Sequence, residues 1–121
     1  MAGGFKELQI YQRSYAAVKA VYAMTERFPE RERYGVTDQL RRASLSIPLN
    51  IAEGYGKKDS QSEFNRYLRI AMGSANEVMV LLDFSQDMGY IAEEKHQKAY
   101  GEYEEICKMI NAFVQRTKSK H

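Results

Sequence analysis

Apolar residues recur at alternating steps of three and four along almost the whole chain. This spacing places them on one side of an α-helix, whereas the period-two alternation of a strand is nowhere sustained. The first such stretch predicts a helix over residues 5–27. It carries two adjacent apolar stripes, which one explanation assigns to a bundle core and a subunit contact. The stripes are Leu8, Tyr11, Tyr15, Val18, Tyr22 and Thr25, and beside them Ile10, Ser14, Ala17, Val21, Met24 and Phe28.

The stretch 38–56 predicts a second amphipathic helix, around which the rest of the chain is organised. Thr37 is a residue type that caps helix N-termini, and Gly54 marks the helix end. Pro48 stands in its middle. Because proline lacks an N–H and its ring crowds the carbonyl of Ser44, we expect a kink or a local opening there.

Two further helices follow. Residues 60–63 (Ser-Gln-Ser-Glu) form a capping box, so a third helix is expected to begin near Gln61 and to end near Gly89. A fourth helix is expected after Ile91, followed by a basic tail at residues 116–121. Four helices with short connections predict an all-α fold, an antiparallel up-down-up-down four-helix bundle.

Composition fits one ordinary globular domain over residues 1–121. Hydrophobic residues make up 44% and charged residues 28% of the chain. The net charge of +2 is too small to argue for nucleic acid by itself. The single cysteine, Cys107, excludes an internal disulfide and fits a reducing compartment. No apolar signal segment or membrane-spanning run is present, so we expect a cytoplasmic protein without a membrane partner.

Several segments of the predicted second and third helices carry a family resemblance. They are residues 39–43 (QLRRA), 46–54 (SIPLNIAEG), 63–68 (EFNRYL) and 71–77 (AMGSANE). They closely resemble the four helix bundle proteins called 23S rRNA-intervening sequence proteins. The resemblance implies a helical bundle whose subunits form a ring, usually a homopentamer, with no established enzymatic activity. Leu45 and Leu49 are bulkier than the small residues common at those positions.

The resemblance also implies a biological setting. Some members of this family are encoded inside insertions in bacterial ribosomal RNA genes. Distant relatives are accessory proteins of diversity-generating retroelements, and these look like nucleic-acid-binding adaptors.

Polar residues on facing sides of the second and third helices suggest a buried network. If these helices are antiparallel and the chain turns at residues 57–59, two residues whose numbers sum to about 117 lie at the same height along the bundle axis. We therefore expect Arg42, Gln39, Ser74 and Glu77 to form a partly buried network that fixes the helix register. The alternative is that Arg42 and Glu77 face solvent. Asn50 is expected to satisfy backbone groups near Pro48, or else to contact a ligand.

Charge is divided unequally along the predicted bundle axis. Residues 1–16, 47–75 and 106–121 meet at one end and carry ten basic and four acidic side chains, a net charge of +6. The remaining residues carry eight basic and twelve acidic side chains, a net charge of −4. Repeated around a ring, the positive end could hold phosphates. The candidate nucleic-acid-binding residues are Lys57, Lys58, Arg66, Arg69, Arg116 and Lys118; the alternative is charge that solubilises the protein or guides its assembly.

Other chemistry finds little support in the sequence. His96 and His121 are far apart, Cys107 has no evident base, and no zinc or Glu-x-x-His ligand spacing is present. We expect no enzyme, metal or cofactor. The favoured function is a self-associating scaffold that contacts RNA or DNA, RNA being favoured. The alternative is a protein–protein adaptor that uses the tyrosine-rich surface of the first helix.

Overall fold

The computed structural model describes residues 4–118, and the side chains of residues 4–117. The chain forms helices α1 (Gln9–Thr25), α2 (Val36–Tyr55), α3 (Gln61–Asp87) and α4 (Glu93–Lys118). Single 3₁₀ turns at Phe5–Glu7 and Glu30–Glu32 precede α1 and α2. No strand occurs in this described part of the chain, so the predicted all-α class and the four helices are confirmed.

Contacts between successive helices run in opposite directions. On α2 and α3, Ser46 bonds to Ser74, and Gly54 lies against Tyr67. On α3 and α4, Asn65 contacts Thr117, whereas Asp83 contacts His96. Arg13 of α1 pairs with Glu102 of α4, which closes the bundle. The pairs follow the antiparallel sense that the predicted up-down-up-down order requires.

The predicted apolar stripes meet in a single core. Leu40, Ile47, Leu68, Leu82 and Ile106 are each 0% exposed. Burying one such side chain contributes about 1.5–3 kcal/mol, so a core of this extent dominates the stability of the fold. Most of the other core members also lie on stripes that the sequence predicts: Ile10, Ala17, Val21, Ala43, Ile51, Phe64, Ala71, Ala75, Val78, Tyr103 and Ile110. Val114 is a further core member that lies on none of the predicted stripes.

The start of α2 differs from the prediction. Thr37 does not cap the helix, because α2 begins at Val36, two residues earlier than predicted, and the Thr37 side chain is buried. Its hydroxyl is buried and has no hydrogen-bond partner in the described part of the chain. Glu32 supplies the cap instead: its Oε1 accepts a hydrogen bond from the Val36 N–H at 3.2 Å. The cap therefore comes from the preceding turn rather than from the helix itself.

Pro48 does not open α2, which is continuous α-helix on both sides of it. Its ring is buried. The Asn50 side chain donates to the Ser46 carbonyl at 2.8 Å. It therefore contacts backbone near the proline, but not the Ser44 carbonyl, which is the group that loses its helical donor at Pro48. One missing backbone bond is tolerated because α2 is held by neighbours on both sides.

The α2–α3 connection is tight. Ser60 caps α3, since its Oγ accepts a hydrogen bond from the Glu63 N–H at 3.3 Å, and α3 begins at Gln61 as predicted. Only half of the capping box forms, because the Glu63 carboxylate turns to Arg66. Beyond the other end of α3, Gly89 has a φ of 79°, a backbone conformation that favours glycine.

Candidate functional site

The basic end of the bundle is built from the α2–α3 turn, the first turns of α3 and the last turns of α4. Backbone bonds from Lys57 to Gly54 and from Lys58 to Tyr55 shape the turn and leave both lysine side chains exposed. Arg66 and Arg69 are exposed one and two turns into α3. These four cations therefore lie on adjoining segments and point into solvent.

The end of α4 joins this surface. Phe64 of α3 and Phe113 of α4 pack with ring centroids 5.5 Å apart, and Asn65 accepts a hydrogen bond from Thr117. Arg116 is exposed beside these contacts. The structure thus brings Arg116 to the same end as the α3 candidates. The side chain of Lys118, also a candidate, lies outside the described residues.

Cations at the basic end rest on aromatic rings. The Lys58 Nζ lies 4.1 Å from the Tyr55 ring centroid and donates to the Tyr55 hydroxyl at 3.0 Å. The guanidinium carbons of Arg66 and Arg116 lie 4.6 Å and 5.7 Å from the ring centroids of Tyr67 and Phe113. The hydrogen bond from Lys58 lowers the pKa of the Tyr55 phenol. Each contact orients a cation beside a partly exposed ring.

Glu63 moderates the charge of this surface. Its carboxylate accepts hydrogen bonds from Arg66 at 3.1 and 3.4 Å. That bond and, to a lesser extent, the charges of Arg66 and nearby Lys57 hold the pKa of Glu63 below its ordinary value. The pair is largely exposed, so it can exchange for contacts with a ligand at little cost.

The predicted register network is wrong. Arg42 forms an ion pair with Asp38, one turn earlier on the same helix, at 2.9 Å, and its side chain is 80% exposed. Gln39 and Glu77 are also exposed. Arg42 lies on the outer side of α2, where the nearest carboxylate is local, and the alternative of solvent exposure for Arg42 and Glu77 is correct.

A smaller polar cluster forms between α2 and α3. Ser46 Oγ and Ser74 Oγ are 2.9 Å apart, and Asn50 Nδ2 donates to Ser46 Oγ at 3.0 Å. Ser74 of the predicted network and Asn50, whose predicted role was separate, are therefore linked through Ser46. The three side chains are partly buried and hydrogen-bonded to one another, as polar groups between packed helices usually are. The cluster therefore has a role in holding α2 against α3.

Two surface features were missed by the sequence reasoning. A groove of about 550 Å³ separates α1 from α4; Ala16, Ala20, Met24, Lys98, Ala99 and Tyr103 are among its lining. We call it the α1–α4 groove. On the outer side of α3, Val80, Phe84 and Met88 form the α3 ridge and are 67%, 45% and 50% exposed. The alanine spacing on α1 and the four-residue spacing on α3 are the signals that could have found them.

His96 and Cys107, which the sequence offers as candidate reactive groups, both lie in structural surroundings. His96 Nε2 lies 2.7 Å from Asp83 Oδ1 and links α4 to α3. Burial, and the nearby Glu104 carboxylate, raise the pKa of the Cys107 thiol, which disfavours a reactive thiolate. Within residues 4–117 no three His, Cys, Asp or Glu side chains come together as a metal-binding group. No helix in the described part of the chain is long and apolar enough to span a bilayer.

Residues 6–112 match the family model described as 23S rRNA-intervening sequence protein. Among solved structures, the chain is similar to a protein of unknown function from the S23 ribosomal protein family of Bacteroides thetaiotaomicron VPI-5482. The two share 23% sequence identity with a TM-score of 0.77, over 87% of this chain and 97% of the other. No match was found among curated proteins.

Proposed function

Because this chain belongs to the 23S rRNA-intervening sequence protein family, we propose that it is a cytoplasmic, non-enzymatic scaffold that self-associates and contacts RNA through its basic end. The assembly we propose is a ring of five copies. The observation that carries the RNA proposal is the set of exposed cations laid over aromatic rings at one end of the bundle: Lys58 on Tyr55, Arg66 on Tyr67 and Arg116 on Phe113.

The chemistry of this end suits a single-stranded nucleic acid. Cations attract the phosphate backbone, and each phosphate contact releases counterions. Partly exposed rings such as Tyr55 and Tyr67 offer faces on which unpaired bases stack. RNA is favoured because its loops and single strands present unstacked bases to such surfaces.

Ring formation would strengthen weak individual contacts. In a closed ring of identical chains related by one axis, every copy presents its basic end on the same side. Five clusters containing Lys57, Lys58, Arg66 and Arg69 would then act on one RNA. Linked weak sites raise the effective affinity through multivalency, even where the contact of a single chain is weak.

The test is RNA binding measured against salt concentration with a single-stranded RNA probe. Replacing Lys57, Lys58, Arg66 and Arg69 by alanine should abolish or strongly weaken binding and flatten its salt dependence, by about 0.7 in logarithmic slope for each phosphate that the variant no longer neutralises. The matched control replaces four exposed cations outside this end by alanine: Lys19, Arg31, Arg33 and Arg42. The control should bind like the unaltered protein. Absence of binding at low ionic strength, or equal weakening in both variants, contradicts the proposal.

A protein–protein adaptor is the second candidate. It is favoured by apolar side chains on the joint outer surface of α1 and α2, where Tyr15 and Leu49 are 47% and 58% exposed. Arg41 ties the two helices together there by donating to Thr25 at 2.8 Å and lying over the Tyr22 ring. Hydrogen exchange of the assembled protein discriminates the two. An RNA scaffold protects the basic end when RNA is added, whereas an adaptor leaves it unprotected and keeps the Tyr15–Leu49 surface open for a partner.

A further inference from the structure

The α1–α4 groove exists because the helix faces on either side of it are lined by small side chains. Ala16, Ala20 and Ala23 of α1 face Ala99 of α4 across it, and none of them fills the space. Three cations, Arg27, Lys95 and Lys98, stand at its rim. None of the three has an ion-pair partner among the residues that the structure describes. Glu102 also lines the groove, but its carboxylate is paired with Arg13. The groove is therefore apolar inside, and the charges at its edge that lack an ion-pair partner are positive.

The α3 ridge has the opposite form and charge. Val80, Phe84 and Met88 follow one another at steps of four, so they project from one side of the helix. The exposed carboxylates Glu77 and Asp87 accompany them. Between Arg69 and Lys95 the chain contains no lysine or arginine, so the ridge is apolar with a negative border.

The groove and the ridge lie at the same height along the bundle. The bond between Asp83 and His96 fixes the relative level of α3 and α4, and it places Val80 about level with Ala99. Ala99 in turn lines the groove together with Ala16 and Ala20 of α1. Because α3 is the helix diagonal to α1, a chain cannot insert its own ridge into its own groove. A second copy standing beside it at the same height can.

We propose that the α3 ridge of one copy docks in the α1–α4 groove of the next copy. The acidic border of the ridge meets the basic rim of the groove, and Val80 and Phe84 enter the space left by the alanines. The contact joins two different surfaces, so each copy keeps one free groove and one free ridge until a ring closes. This inference rests on the proposed self-association and specifies its interface.

The proposed contact also leaves the basic end open. On the α1 side the groove is lined by residues 16–27, which are the second half of α1 and the residues just after it. The ridge occupies the last turns of α3, so both lie in the half of the bundle remote from Lys57. Because the two surfaces are level, neighbouring copies stand with parallel axes. All basic ends would then face the same side of the ring.

The test uses two variants of the full chain. The ridge variant carries Val80→Asp and Phe84→Asp, and the groove variant carries Ala20→Glu and Lys98→Glu. All four positions are exposed, so the fold should persist, as helix content by circular dichroism would verify. Leu49→Asp, at an apolar residue 58% exposed on α2, is the matched control.

Molar mass by light scattering after size-exclusion chromatography gives the readout. We expect each variant alone to be a monomer, and the control to keep the mass of the unaltered protein. An equimolar mixture of the two variants should give a heterodimer and nothing larger. The intact ridge of the groove variant can dock in the intact groove of the ridge variant, and no other intact pair of surfaces remains. A monomeric unaltered protein overturns the self-association proposal together with this one. An assembled unaltered protein whose ridge or groove variant stays assembled, or whose mixed variants stay monomeric, overturns only the interface.

Discussion

Gly54 and Tyr67 lie so close together that a Cβ atom on Gly54 would stand 2.7 Å from the Tyr67 Cβ. The same added atom would lie 3.1 Å from Phe64 Cδ1 and 3.3 Å from the Phe64 carbonyl oxygen. Two of these three neighbours are a Cβ and a backbone atom, which cannot move aside without moving α3. Glycine is therefore required for the close approach of α2 to α3 near their connection.

Gly54→Ala should lower the free energy of unfolding by about 1–3 kcal/mol, the usual cost of overpacking a well-packed contact. Gly101→Ala is the matched control, because Gly101 also lies inside a helix but a Cβ there would meet no atom within 4 Å. The control should raise the free energy of unfolding by about 0.5–1 kcal/mol, since alanine is the better helix former. Urea denaturation of both variants measures this. Equal changes in the two variants would show that the α2–α3 approach is not tight.

Tyr90 and Glu32 connect the α3–α4 turn to the start of α2. The Tyr90 hydroxyl donates to Glu32 Oε2 at 2.7 Å, while Glu32 Oε1 accepts from the Val36 N–H. These two hydrogen bonds, that from Tyr90 first, hold the pKa of Glu32 below its ordinary value of 4.5. A carboxyl whose pKa is lowered by folding stabilises the folded state above its unfolded pKa, and this stabilisation is lost as pH falls through the folded pKa.

Tyr90→Phe should therefore lower the melting temperature at pH 7, and the deficit should shrink as pH falls below about 4.5, the ordinary glutamate value. Thermal unfolding followed by circular dichroism from pH 7 to pH 3 gives the comparison. Tyr34→Phe is the control, because Tyr34 is 84% exposed, and it should match the unaltered protein at every pH. The ring of Tyr90, which packs on Phe28, is kept in this variant, so a deficit that is independent of pH would mean that the hydroxyl does not act through the charge of Glu32.

The sequence was sufficient for the helices and their buried faces. Burial follows helical periodicity closely, as at Leu68, Ala75 and Leu82. This is because hydrophobic burial has no preferred direction, so the apolar face of a helix turns to the core whatever it packs against. The α3 cap at Ser60 was predictable for a similar reason: the capping residue and the N–H that it binds lie within three residues. Local pattern and final structure agree wherever the interaction is local or non-directional.

Hydrogen bonds and ion pairs of the polar side chains beside the buried helix faces could not be predicted in the same way. Arg42 and Glu77 lie at about the same level of the bundle, but whether two side chains pair also depends on how far each helix is rotated about its axis. Arg42 pairs instead with Asp38, one turn away on its own helix. The cap of α2 comes from Glu32, whose position depends on the preceding turn. The α1–α4 groove depends on the spacing of two helices that are distant in sequence, which side-chain size alone does not determine.

Ser46 and Ser74 form the hydrogen bond between α2 and α3 that includes a residue of the predicted register network. Its contribution to the free energy of unfolding can be measured. Ser74→Ala should cost about 0.5–1.5 kcal/mol of unfolding free energy, since it removes one partly buried hydrogen bond. Ser46→Ala should cost more, since it also removes the bond that Asn50 donates to Ser46. The double variant should cost clearly less than the sum of the two, because residues in direct contact couple. Ser62→Ala, at an exposed position in the first turn of α3, should change stability little. A denaturant double-mutant cycle gives the coupling energy, and additive effects would show that the two hydroxyls act independently and do not hold α2 against α3.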